Sequence, residues 1–196
     1  MDYPNIDTSI KFLRTLSRDI DAITSKSGRH SLRVSQWSGR IAHQMGLSEA
    51  EIDYLRMGAL FHDIGKIGIP RHILIKEDPL SEHEWIIIRM HPTIGSAIVQ
   101  ATRSFSEVAD LVFLHQEKYN GAGYPVGLMG KDIPLPARIL AVVDAYDAMT
   151  DDRPYRKAFS HPRAVNELIQ LGGYQFDPQV VNVFLELLES EQKYIQ

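Results

Sequence analysis

The stretch ALFHDIGKIGIP, residues 59–70, sets His62 and Asp63 side by side among Leu60, Phe61 and Ile64, with Lys66 three residues further on. A buried carboxylate costs on the order of several kcal/mol unless it is ion-paired or bound to a metal. Asp63 therefore needs a partner. At helical spacing Lys66 can face the same point as His62 and Asp63. On this segment alone, a buried Asp63–Lys66 ion pair beside a hydrogen-bonded His62 accounts for the residues as well as a metal does. The rest of the chain adds groups of the same kind. His30 opens HSLRV, His91 precedes PTIG, His115 follows the apolar LVFL, and Asp144 interrupts ILAVVDAYDAM with Asp147 one turn on. Singly, each reads as a hydrogen-bonded core residue. Five helices that each offer an imidazole or carboxylate from an apolar context point instead to a shared site for Fe, Mn or Zn.

Composition limits what such a site can be. The chain has 196 residues, 44% of them hydrophobic, enough for one substantial core. Its 21 Lys and Arg are interspersed with 25 Asp and Glu for a net charge of −4, so no basic stripe marks a polymeric nucleic-acid partner, while a single nucleotide remains open. With no cysteine, any metal must be held by nitrogen and oxygen. No apolar run is long enough to span a membrane and the amino terminus lacks signal-peptide character, which gives the expectation of a cytoplasmic protein.

The elements that must hold these residues are helical throughout. Apolar positions Ile6, Ile10, Leu13, Leu16, Ile20 and Ile23 form one stripe of an amphipathic helix, either a packing helix or a connector or dimer helix. A second helix spans 30–45 and stops at Gly46. Ser48 and Glu51 form a capping box for a third helix, expected to continue through HDIG. A loop follows to Pro79, Ser81 caps a short helix, and Pro92 fits the first turn of the next. Further helices are expected over 107–118, 135–149, 162–171 and 178–188, the last capped by Asp177. NGAGYPVGLMGKDIP is an irregular, functional loop. The fold class is all-α, a helical bundle with residues 1–25 as an N-terminal helix and 26–196 as the domain proper.

The order His30, His62-Asp63, His91, His115, Asp144, with HDIGKIGIP, NGAGYP and DRPYRKA, resembles the HD superfamily of metal-dependent phosphohydrolases. Within it the likeness is to the HD-GYP family of cyclic-di-GMP phosphodiesterases, over nearly all of residues 20–190. The resemblance implies that His30, His62, Asp63 and Asp144 surround one metal, and that Asp63 bridges to a second held by His91 and His115. It puts Lys66 beside the scissile phosphate, Asp147, Arg153 and Arg156 on the cyclic dinucleotide, and Gly123, Tyr124 and Pro125 at the border of the site. Two departures matter. Members usually carry a second histidine where this chain has Gln116, a weaker, neutral donor to the second metal. Members with three metals have a glutamate where this chain has Lys26, so two divalent transition metals are expected: Fe or Mn first, with Zn, Ni, Mg or Ca as alternatives. Such a pair lowers the pKa of a water and clamps the attacking and leaving oxygens of a phosphodiester. Lys66 would offset charge on the phosphate oxygens, and the guanidinium forks of Arg153 and Arg156 suit a second phosphate or guanine edges. Hydrolysis of cyclic-di-GMP to linear pGpG, and onward to GMP, is the implied activity. A non-catalytic receptor, or a phosphodiesterase for another cyclic dinucleotide such as cyclic GMP-AMP, is the alternative. A diguanylate cyclase or sensor-domain partner and a homodimer are left open. Glu117 and Tyr119 are read as supporting or packing residues, and His43, His72, His83 and His161 as boundary, exposed or helix-entry residues.

Overall fold

The computed structural model describes residues 6–102, 105–152 and 157–195, with side chains described between residues 8 and 191. Arg153 and Arg156 lie outside the described residues. Ten α-helices are described: α1 (Ile6–Thr24), α2 (His30–Gln44), α3 (Glu49–Phe61), α4 (Arg71–Leu74), α5 (Glu82–Ile88), α6 (His91–Ala101), α7 (Ala109–Leu114), α8 (Leu135–Thr150), α9 (His161–Gln170) and α10 (Pro178–Ile195). Among the described residues the only β pairing is two isolated bridges, Asn120 with Met129 and Gly172 with Phe176. The fold is all-α.

Two apolar clusters make the core. The larger joins Val34 and Ile41 of α2, Ile52 and Leu55 of α3, Leu140 and Val143 of α8, and Phe184 of α10. The smaller joins Leu13 of α1, Phe61 of α3, Val99 of α6 and Val112 of α7. Each such side chain contributes roughly 1.5–3 kcal/mol on burial. α3 belongs to both, so its C-terminal end emerges where the clusters meet.

The local signals placed most boundaries. Ser48 with Glu51 and Ser81 with Glu84 both form reciprocal capping boxes, and Gly46 adopts φ +79° directly after α2. The third helix is the main correction. It ends at Phe61 rather than continuing through HDIG, and a 3₁₀ turn covers Ile64–Gly68. The reason is tertiary. α6 crosses so close to Gly65 that a Cβ there would lie 1.9 Å from the His91 carbonyl oxygen and 2.5 Å from Gly95 N. The backbone must turn away to permit that approach. The expected 107–118 helix is likewise shorter, a 3₁₀ turn at Ser106–Val108 followed by α7, and α10 runs seven residues past the expected end.

Candidate metal centre

Four helix ends deliver four imidazoles, and three of them use the same local device. His62 Nδ1 donates to the Ala59 carbonyl, His91 Nδ1 to that of Ile88 and His115 Nδ1 to that of Val112, each at 2.7 Å and each three residues back. These carbonyls lie in the last turns of α3, α5 and α7, where no further helical N–H is present to satisfy them. A carbonyl only accepts, so each Nδ1 carries its proton and each Nε2 is left to point inward. His30, at the first residue of α2, reaches the same result through a carboxylate: its Nδ1 donates to Asp147 Oδ2 at 2.7 Å.

The inward nitrogens fall into two groups around Asp63. His30, His62 and Asp144 form one, and Asp63, His91 and His115 the other; within each, the ligand-type atoms lie within 4.8 Å of one another. Asp144 Oδ1 is 3.1 Å from His30 Nε2 and 3.7 Å from His62 Nε2. Asp63 faces both groups. Its Oδ2 lies 3.5 Å from His62 Nε2 and 3.8 Å from His30 Nε2, and its Oδ1 lies 3.6 Å from His91 Nε2 and 4.0 Å from His115 Nε2. Lys66 reaches Asp63 Oδ2 at 2.5 Å from within the 3₁₀ turn.

Two observations fit a cation at each group. His62 Nε2 is sealed from solvent and makes no hydrogen bond. His91 Nε2 and His115 Nε2 stand 3.1 Å apart while both Nδ1 atoms are committed as donors, so in the neutral rings two lone pairs face each other. Burial holds both rings neutral, pushing His91 down to about 4 and His115 to about 3. The other group is electron-rich in a different way. Burial works against ionisation of Asp63, but Lys66, His62 and His91 outweigh it and hold the carboxyl well below its usual range. Asp144 is held low against the same burial by His30 and His62. For His62, burial opposes protonation, yet Asp63 and Asp144 push the ring up.

Asp147, which the resemblance put on the cyclic dinucleotide, is buried behind His30, where Arg33 also donates to it through Nε at 2.5 Å and Nη2 at 2.8 Å. Arg33 Nη2 reaches Asp151 Oδ2 at 2.9 Å as well. Asp144 and Asp147 of α8, with Asp151 directly after its end, thus form one stripe facing the start of α2. Arg33 was missed in the sequence. Its signal was there, one turn after His30 and opposite three acids at helical spacing.

The loop after α7 is built on Glu117, a buried carboxylate that accepts from the backbone N–H groups of Val126, Gly127 and Leu128 at 2.7–3.1 Å. Gly123 fits only as glycine, since a Cβ would lie 2.3 Å from Lys118 N. The Tyr124–Pro125 peptide is cis. The Tyr124 hydroxyl donates to Gln116 Oε1 at 3.2 Å, so Gln116 points to the loop's tyrosine. Tyr119 pairs its backbone with Gln175. A cavity of about 580 Å³ opens beside the site, bordered by Lys66, His91, Gln116, Tyr124, Trp85 and Thr24. His43, His72 and His83 are exposed, and His161 bonds the Tyr146 hydroxyl at 2.7 Å.

Residues 14–180 match a family described as HD domain. The chain is 42% identical over 176 residues to the cyclic di-GMP phosphodiesterase response regulator RpfG of Xanthomonas campestris pv. campestris, covering 87% of this chain and 47% of that protein. It is 35% identical over 182 residues to the 3'3'-cGAMP-specific phosphodiesterase 2 of Vibrio cholerae serotype O1, covering 92% and 35%. The chain therefore spans less than half the length of these curated relatives. Among solved structures, Bd1817, an HDG"Y"P protein from Bdellovibrio bacteriovorus, shares the fold with a TM-score of 0.68 at 22% identity, over 94% of this chain and 62% of that one. Together with the motifs carried by the converging side chains, these matches establish that the chain belongs to the HD-GYP family of the HD superfamily of metal-dependent phosphohydrolases.

Proposed function

We propose that this domain hydrolyses a cyclic dinucleotide, cyclic-di-GMP first and 3'3'-cGAMP second, to its linear form. The observation that carries the reading is the convergence of four Nε2 atoms and Asp144 around the two oxygens of one aspartate. His30, His62 and Asp144 would hold one divalent cation, His91 and His115 a second, and Asp63 would serve both. Fe or Mn suits this mixed nitrogen and oxygen set. Bound cations supply Lewis acidity toward phosphoryl oxygens and make a water acidic enough to act near neutral pH.

The chain's own groups do the remaining work. Lys66 Nζ sits on Asp63 at the border of the cavity, where its charge meets the non-bridging oxygens of a phosphodiester. Asp147 and the three main-chain carbonyls hold the imidazoles in one tautomer, so the donors are set before substrate arrives. Tyr124 and Trp85 border the cavity with aromatic surface suited to a purine. Water adds to phosphorus, the bond to the 3′ oxygen breaks, and the product carries a 5′ phosphate and a 3′ hydroxyl. Arg153 and Arg156 are read as partners of the second phosphate or the guanine edges. The cyclic dinucleotides named for the relatives support reading it as a cytoplasmic domain.

A second reading, a receptor that binds without turnover, draws support from Gln116, whose side-chain oxygen is taken by Tyr124. One experiment separates the two. Mn²⁺- or Fe²⁺-loaded protein is incubated with cyclic-di-GMP, 3'3'-cGAMP and cyclic-di-AMP, and products are resolved by chromatography. Linear product, abolished in Asp63→Ala, is the expected result. Binding without product under every metal favours the receptor and ends the enzyme reading.

A further inference from the structure

α1 carries polar side chains where a plain packing helix would be apolar. Ser17, Asp21 and Ser25 are all buried and follow one another at intervals of four, the first two on α1 and the third directly after its end. Each contacts a different element. Ser17 Oγ donates to the Leu60 carbonyl at 2.7 Å, two residues before His62. Asp21 accepts from Ser31 N at 2.9 Å and Ser31 Oγ at 2.8 Å, one residue after His30. Ser25 Oγ donates to Asp151 Oδ2 at 2.5 Å, directly after the end of α8, the helix that carries Asp144. These are the three elements that deliver His62, His30 and Asp144. None of these three side chains bonds α6 or α7, which bear His91 and His115.

The Asp21 contact has a clear physical role. The N-cap of α2 is Arg29, which makes no side-chain capping bond. A helix whose first N–H groups lack acceptors is unfavourable at its start, and a carboxylate there also meets the positive end of the helix dipole. Asp21 supplies both from another helix. His30 is the first residue of α2, so its ring depends on that start.

We propose that Ser17, Asp21 and Ser25 are positioning residues for the His30–His62–Asp144 group, with Asp21 the principal one, and that α1 thereby sets the cation affinity of this group and not of the other. A shift of α1 along its axis would break all three ties together. This rests on the reading that both groups hold cations.

The test is Mn²⁺ titration by calorimetry, with His91→Ala used to identify the binding class of the second group. Asp21→Ala should weaken the first class roughly five- to thirtyfold, the loss expected for a removed helix cap, and leave the second class unchanged. Ser17→Ala and Ser25→Ala should each weaken the same class by less. Asp21→Asn, which keeps one acceptor for Ser31 N, should recover most of the loss. Exposed Arg14→Ala should change nothing. Amide exchange over residues 30–33 in metal-free Asp21→Ala should rise, while exchange in α6 and α7 stays as in the parent. Equal weakening of both classes, or of neither, overturns the proposal, as does unchanged exchange at 30–33. Absence of any Mn²⁺ binding by the parent protein overturns the cation reading instead, and the exchange result then still decides whether Asp21 fixes the start of α2.

Discussion

Gln116 is the residue where this chain parts from the usual family pattern, and its surroundings say what a histidine would do there. It follows His115 directly, and its oxygen is already bonded to Tyr124. Gln116→His replaces a weak neutral donor with an imidazole beside the His91–His115 pair, so we expect tighter binding of the second cation, by about tenfold, and faster turnover. Metal content after dialysis, read by mass spectrometry, checks this; unchanged content and rate would show that position 116 lies out of reach of the cation. At this scale the sequence was largely legible. His30, His62, Asp63, His91, His115 and Asp144 announced themselves as polar residues in apolar runs. The bonds of Asp147 to His30 and Arg33 were not legible, because spacing on α8 gives a residue's face and not which neighbour has claimed its oxygens. Arg33 was missed because its signal lies in the pairing of α2 with the acids at 147 and 151, which neither segment shows by itself.

Among elements, the loop after α7 depends on one carboxylate. Glu117 satisfies three successive backbone N–H groups, so Glu117→Ala removes the buried carboxylate on which the loop closes and leaves them without that acceptor. We expect a loss of about 2–4 kcal/mol in urea unfolding and faster proteolysis within 119–132, with Glu117→Gln intermediate. Proteolysis at the parental rate would count against it. The segment between α4 and α5 responds to pH. Lys76 holds Glu84 at 2.7 Å, and with the Ser81 N–H it pulls the Glu84 carboxyl down to about 2 from its ordinary 4.5. Because the folded value is the lower one, the contribution is complete above about 4.5 and is lost as pH falls toward 2. Amide exchange at 77–81 should therefore rise across that window, and Lys76→Met, which brings the folded value back toward 4.5, should narrow the window by raising its lower end. The element boundaries that rested on caps were legible in sequence. The break after Phe61 was not, since it answers to α6 packing on Gly65, a contact that no local pattern contains.

For the molecule as a whole, the two groups draw ligands from α2, the ends of α3 and α7, the start of α6, and α8, tying both apolar clusters together. Cations that bind only the folded arrangement stabilise it by mass action, about 2.7 kcal/mol at a concentration a hundredfold above Kd. Chelation should lower Tm by roughly 5–10 °C for a chain of this size. Differential scanning fluorimetry with and without EDTA reads this, and Asp63→Ala should abolish the difference. A chelator-independent Tm in the parent would mean that the groups hold no cation in solution. The all-α class was readable from periodicity, but the meeting of the two clusters at the end of α3 emerges only from packing.

The crossing of α6 over Gly65 has one more implication. Main chain rests on main chain there, with no room for even a methyl group, so the distance between the Asp63 turn and the start of α6 is a backbone dimension. Only a side chain added at the crossing itself, at Gly65, would force the two backbones apart. Evolution within such a scaffold is left to alter which donors surround a fixed pair of seats, and metal preference should drift through residues such as Gln116 while the gap between the seats stays constant.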